Sequence, residues 1–258
     1  MEAQIIDHSK MRLGKSRPVY DSRTLQLANY LNTEALPATP ATYMYAKNIA
    51  AGGWGMMDND KIGDCTCAAA GHLIMEWTDD NNAMVTPTDQ QIVSAYSAIT
   101  GYDPATGKND NGAVETKVLN YWRNTGIAGH KIFAYAALEP NNQEHIKLAT
   151  FLFGGCYIGV ELPLSAQKQK VWSVPPGGAK GSGAPASWGG HAVCVVGYDS
   201  HGLTIITWGT TKKMTWSFWN AYCDEAYAII STDFAGTNTA PSGFDFAALQ
   251  QDLKQIVA

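Results

Sequence analysis

The chain has 258 residues, 45% of them hydrophobic and 16% charged, with a net charge of −5. That length buries a substantial core in one large domain or two intimate lobes. The acidic balance, with no basic run, argues against a nucleic-acid partner or an anionic membrane surface, and no segment approaches the ~18 consecutive apolar residues of a membrane span. Five sparse cysteines do not form a disulfide framework and suit a reducing compartment. Nothing at the N-terminus resembles a signal peptide, so the expectation is a cytoplasmic protein.

Residues 1–35 read as a polar strap lying across a larger body. One short helix is expected from Asp21 to Leu31, where Leu27 and Leu31 share a face. "LPATPAT" then leads into a helix-rich stretch. The run from Cys65 to about Thr78 is helical in pattern, with Asp64 placed to cap it. "TDQQIVSAYSAITG" opens on a Thr88/Gln91 capping box and sets Ile92, Tyr96 and Ile99 on one face. "NGAVETKVLNYWRNTG" does likewise with Val114, Val118, Tyr121 and Trp122, and Gly126 stops it. A fourth helix, "NNQEHIKLATFLFGG", ends at Gly154 and Gly155.

After Gly155 the pattern turns to strands: "CYIGVELP", "HAVCVVGYD", "LTIITWG" and "AYAIIS". Between Pro175 and Gly190 the Pro/Gly/Ser-rich loop reads as mobile surface and as a lid whose glycines act as hinges. "SGFDFAALQQDLKQIVA" reads as an amphipathic helix with Phe246, Leu249, Leu253 and Ile256 inward. Helices before antiparallel strands make an α+β chain, mainly helical over 36–140 and mainly β over 141–258, with a site expected between the two parts.

Five cysteines compete for attention. Cys156 and Cys194 sit inside apolar strands and Cys67 is followed by three alanines, so all three read as packing; Cys223 is undetermined. The C-x-C spacing of Cys65 and Cys67 fits neither a zinc cluster nor a relaxed disulfide, and no metal or organic cofactor is implied. Cys65 differs because it opens a helix. Unpaired N–H groups and the positive end of the dipole favour a thiolate there, so its pKa is expected below the free value of ~8.5; the alternative is an unreactive buried thiol. Among the histidines, His8 and His201 read as solvated, His130 and His145 lack obvious partners, and His72 lies two turns along the same helix, ~10 Å away. His191 opens a strand after two glycines and is the base that could reach Cys65, unless it is a core histidine bonded to backbone.

"DNDKIGDCTCAAAG" resembles the nucleophile segment of papain-like cysteine peptidases of the bacterial type, with Cys65 at the nucleophile, and "GGHAVCVVGYD" resembles the base segment, with His191 as general base. "NGAVETKVLNYWRNTGI", "LPATPA" and "TWGT" followed by "EAYAII" extend the likeness over residues 36–231. The Cys-to-His separation falls slightly short of the family's ~130–150 residues.

The resemblance implies a two-lobed papain-like domain over 36–258, with a helical lobe, an antiparallel sheet or barrel lobe and a cleft between them. It implies a thiol hydrolase acting on a peptide or protein substrate, cleaving peptide or isopeptide bonds through an acyl-enzyme on Cys65. Asn59 stands where the family carries an oxyanion Gln. The orienting third residue falls on Thr207 or Ile206, depending on one gap. Gly112, Gly190 and Trp208 match the substrate-binding walls. The ~35 residues before Leu36 are too few for the long helical propeptide of secreted members, which leaves a strap able to cover part of the cleft. Two other readings stay open: an inactive module on the same fold, and an acyl transferase using the same pair.

Overall fold

The computed structural model describes residues 8–45, 48–235 and 243–256. The helices that the apolar spacing predicts form as α1 (Cys65–Asp80), α2 (Asp89–Thr100), α3 (Glu115–Asn124) and α4 (Gln143–Phe153). At the start of α2 the Thr88 hydroxyl accepts from the Gln91 backbone N–H while the Gln91 side chain accepts from the Thr88 N–H, closing the capping box. Helix α1 is different in kind: every residue from Cys65 to Asp79 is buried. A helix with no wet face is a central element, which accounts for its run of alanines. Asp64 does not cap it with its side chain; only its carbonyl accepts, from Cys67 and Ala68.

Among the described residues eight strands form one open sheet: β1 (Tyr43–Met44), β2 (Ile132–Ala137), β3 (Cys156–Leu162), β4 (Val171–Trp172), β5 (Gly189–Tyr198), β6 (Gly202–Thr207), β7 (Thr210–Thr215) and β8 (Cys223–Ser231). Their order is β2-β8-β3-β5-β6-β7-β4, with β1 added to the end of β5. The central strands are buried on both faces, and their residues alternate between two hydrophobic clusters. Ala192, Cys194 and Val196 of β5 point toward α1, α2 and α3, while Val193 and Val195 face a second cluster that includes residues of α4. This period of two fixes the register, so β5 brings alternate residues to the start of α1.

Several expectations are corrected. The helix read over Asp21–Leu31 is only a 3₁₀ turn at Leu27–Tyr30. Residues 21–24 form a separate turn, and Gln26 is extended where it bridges the rim of β2, the Ala137 N–H donating to the Leu25 carbonyl. Strand β2 and helix α5 (Trp216–Tyr222), capped by Thr215, were not legible as elements. The Pro175–Gly190 loop is tied to the elements around it: Tyr222 donates to the Gly183 carbonyl at 2.7 Å, and Ala186 and Trp188 donate to the end of β3. That bonding removes the basis for reading it as a hinged lid. Short α6 (Thr232–Ala235) precedes α7 (Phe246–Ile256), which buries Leu249; the Ile256 side chain lies outside the described residues.

Candidate active site

Cys65 is the first residue of α1 and is 1% exposed. The backbone N–H of Ala192 on β5 donates to its sulfur at 3.4 Å. The residue before Ala192 is His191, also buried, whose Nε2 is bonded to Thr207 Oγ1 at 2.8 Å. Of the two positions that the sequence left open for an orienting residue, Thr207 is the one whose side chain meets the imidazole; Ile206 packs in the core. In the tautomer with Nε2–H, the ring donates to Thr207 and leaves the Nδ1 lone pair buried without a partner.

Trp208 stacks on His191 at 4.6 Å between centroids. It occupies the first position of the two-residue turn between β6 and β7, with φ of 45°, followed by Gly209 at 72°. Two positive φ values make the primed hairpin turn that suits strand twist, where Asn or Gly is the usual first residue. A tryptophan there carries ~1 kcal/mol or more of backbone strain. Its contacts with His191 and with His8, 5.2 Å away on the strap, hold it in place. His8 is therefore buried, not solvated as expected.

The strap runs directly past Cys65. Lys15 N–H donates to the Gly190 carbonyl, Ser16 N–H to the Ala113 carbonyl, and Ala113 N–H to the Gly14 carbonyl at 2.7 Å. Three glycines, Gly14, Gly112 and Gly190, make this approach possible. A Cβ on Gly14 would lie 1.7 Å from the Gly63 carbonyl oxygen, and one on Gly112 would lie 2.2 Å from the Gly14 carbonyl oxygen. Gly112 also needs its φ of 75°. The Gly14 carbonyl is committed to the Ala113 N–H, and the Gly14 backbone favours the charged form of the Cys65 thiol.

Burial dominates the electrostatics. It pushes the Cys65 thiol up to about 12, against the opposing backbone of Ala192 and Gly14, and pushes His191 down to about 3. The expected low-pKa thiolate is thus absent from this strapped arrangement: loss of water outweighs the helix tip. Asn59 is buried, and its amide donates to the Ile62 carbonyl at 3.4 Å; Met57 and Asp58 before it take left-handed φ values of 56° and 61°.

The remaining candidates have structural roles. His72 is a core histidine bonded to the Gly55 carbonyl and pushed down to about 4 by burial. His130 pairs with Asp233 at 2.8 Å, a partner the sequence did not reveal. Cys67, Cys156 and Cys194 are core residues. Sequence reasoning missed Lys15, whose ammonium lies 2.7 Å from Asp224 and 2.9 Å from Glu225. The only available signals were a lone lysine in "RLGKSR" and an acidic pair opening β8.

No family model and no curated protein matches the sequence. Solved structures do resemble it. Xylellain, a cysteine protease from Xylella fastidiosa, superposes with a TM-score of 0.65 at 14% identity, covering 86% of this chain and 97% of its own. Procathepsin B S9 from Trypanosoma congolense gives 0.63 at 10% identity, covering 88% and 89%. Digestive procathepsin L 3 from the larval midgut of Tenebrio molitor gives 0.55 at 10%, covering 88% and 77%.

The chain has a papain-like cysteine-protease fold. Within this papain-like frame, Cys65 begins the central helix, and His191 and Thr207 come from neighbouring sheet strands.

Proposed function

We propose that the chain is a thiol-dependent peptidase or amidase that uses Cys65 as nucleophile and His191 as general base. On this reading the helices and the sheet act as two lobes, and the strap lies in the cleft between them. The observation that carries the proposal is the Ala192 N–H on the Cys65 sulfur, because it sets a base-bearing strand against a helix-tip thiol. Thr207 holds the far ring nitrogen, which keeps the Nδ1 lone pair available.

Once the strap lifts, water reaches the thiol and the imidazole. The burial that keeps both neutral is relieved, and the helix tip then favours thiolate beside imidazolium. The thiolate attacks the carbonyl carbon and displaces its π electrons onto oxygen. The Cys65 backbone N–H and the Asn59 amide are the donors proposed for that oxyanion, a contribution of about 10²–10³ in rate per donor. His191 protonates the leaving amine as the C–N bond breaks, and water, deprotonated by the same ring, releases the acyl group.

The test is hydrolysis of a mixed peptide pool by the full chain carrying Gly14→Ala, whose added methyl strikes the Gly63 carbonyl and unseats the strap. Cleavage that disappears when Cys65→Ala or His191→Ala is added, with circular dichroism unchanged, is expected. Cleavage surviving Cys65→Ala would sink the proposal.

A second reading, a binding module without catalysis, is favoured by one observation: the Asn59 amide, the side-chain donor proposed for the oxyanion, is committed to the Ile62 carbonyl at 3.4 Å in the strapped arrangement. Failure of iodoacetamide to label Cys65 at pH 6 in the Gly14→Ala chain would support it.

A further inference from the structure

The strap is a peptide already seated beside the thiol, and one of its side chains is sunk into a pocket built for it. Lys15 leaves the strap between the two bonds to Gly190 and Ala113, and its side chain is 1% exposed. Its Nζ meets Asp224 Oδ2 at 2.7 Å and Glu225 Oε1 at 2.9 Å and also donates to the Ser16 carbonyl at 3.3 Å. Glu115 at the start of α3 faces the same ammonium. It is 0% exposed, and neither carboxylate oxygen has a hydrogen-bond partner.

The backbone shapes the pocket for a long cation. Successive strand residues point to opposite faces, so Asp224 and Glu225 should not both reach one ammonium. The register of β3 and β8 slips there: Gly159 pairs with Glu225, but Val160 pairs with Cys223. Asp224 is the extra residue of a bulge, a device that re-aims side chains. The floor is Gly159, where a Cβ would lie 2.0 Å from Lys15 Cε and 2.8 Å from Glu115 Oε1. Tyr227 holds Glu225 from the other side, donating to its second oxygen at 2.8 Å.

We infer that this acidic pocket is the substrate-selecting site of the protein, that it takes a lysine or arginine side chain of a peptide, and that Lys15 occupies it as a resident mimic. For the chemistry after binding, the inference rests on the proposed peptidase activity. Two buried carboxylates, Glu115 and Glu225, and the half-buried Asp224 face one cation, and the buried pair require a cation or protons when the strap leaves, because unpaired buried charge is costly. A peptide passing between Gly112 and Gly190 lays a side chain over the Gly159 floor. A basic one replaces Lys15, a neutral one leaves the carboxylates unpaired, and an acidic one is repelled. Burial and the three carboxylates act in opposite directions on Lys15, and the carboxylates prevail, holding it charged above its ordinary pKa.

The test uses the full chain carrying Gly14→Ala, with Lys15→Ala as a second strap-release variant. Protection of Cys65 from iodoacetamide is measured with added heptapeptides of sequence MRLGKSR carrying Lys, Arg, Gln or Glu at the fifth position. Lys and Arg peptides are expected to protect at concentrations at least ~10-fold below the Gln peptide, with Glu weaker still. Adding Asp224→Asn and Glu225→Gln should remove most of that preference.

Equal protection by all four peptides, or by none, overturns the inference. So does failure of both variants to expose Cys65, since Lys15 would then not be what seats the strap. Lysine-selective protection without hydrolysis of any peptide upholds the pocket and defeats the hydrolase reading. Hydrolysis of peptides without a basic preference does the reverse.

Discussion

Two buried polar groupings flank the same strap, and they solve burial in opposite ways. Around His191 the walls are tryptophans and aliphatic strands. There the thiol, pushed up to about 12, and the imidazole, pushed down to about 3, stay neutral because no charged partner offsets the loss of water. Around Lys15 the loss of water also opposes charge, but Glu115, Glu225 and Asp224 keep the ammonium charged. Burial alone does not decide ionisation; the presence of a partner does. The strap joins the two regions. One residue holds the ionic anchor while its neighbour packs against the segment that carries the thiol.

The largest effect comes from removing the anchor. Lys15→Met leaves buried carboxylates without their cation and should cost about 3–5 kcal/mol of stability in urea unfolding at pH 7. Adding Glu115→Gln and Glu225→Gln should restore a large part of it, because neutral amides do not need the cation. A loss in the single variant below about 1 kcal/mol would show that the carboxylates shed their charge as readily as the thiol does, and the contrast between the regions would vanish.

The neutral region is tested by acid. The folded pKa of His191, about 3, lies below the ordinary ~6.5. Its contribution to stability is therefore fully present above pH 6.5 and is lost as pH falls toward 3, where the unfolded chain binds a proton that the folded chain refuses. His191→Gln removes that proton from the balance. Between pH 6.5 and 4 the wild type should lose about 3 kcal/mol more than this variant. Parallel stability curves would mean that the ring charges inside the fold, with a partner not evident in the strapped arrangement.

The hydrogen bond that orients the ring comes next. Thr207→Val keeps the shape but strands the Nε2–H, at a cost of about 1–3 kcal/mol. Peptide hydrolysis in the strap-released chain should fall, with Thr207→Ser restoring both properties. An unchanged rate in Thr207→Val would leave His191 positioned by Trp208 alone.

The two regions also differ in how far they could be read from sequence. The places of Cys65 at a helix start and of His191 near a strand opening were legible because each sits in a short segment whose glycines, helix start and β-branched run state its geometry locally. The choice between Thr207 and Ile206 was not, since a one-residue shift in a strand reverses which face a side chain takes. The lowered thiol pKa was inferred from the helix tip, a local feature, and was overridden by a strap more than forty residues away in the chain. The Lys15 pocket was invisible for the same reason. It draws on the strap, the start of α3, a glycine of β3 and a bulge in β8, and no single segment carries its pattern. Strand β2 escaped because a short apolar run such as "IFAYAA" has no period that separates strand from buried helix.

The smallest expected effect concerns Asp64, which links the two regimes. It immediately precedes Cys65, is fully buried, and makes no side-chain cap bond to α1. Burial pushes its pKa well above the ordinary carboxylate value, as it does the thiol's, and no lysine or arginine is among the groups acting on it. Asp64→Asn, which in an ordinary cap would forgo a favourable charge at the helix start, should change stability by less than about 1 kcal/mol at pH 4, near the ordinary carboxylate pKa, because there a neutral amide replaces a largely neutral acid of the same shape. The sign of the pH dependence comes from the raised folded pKa. The stability that Asp64 contributes is present below its unfolded value and declines as pH rises toward the folded one, so the asparagine chain should gain on the wild type from pH 4 to 7. If Asp64→Asn instead loses ground over that range, the carboxylate is charged and stabilising at the tip of α1, and the thiol beside it has an anionic neighbour even before the strap lifts.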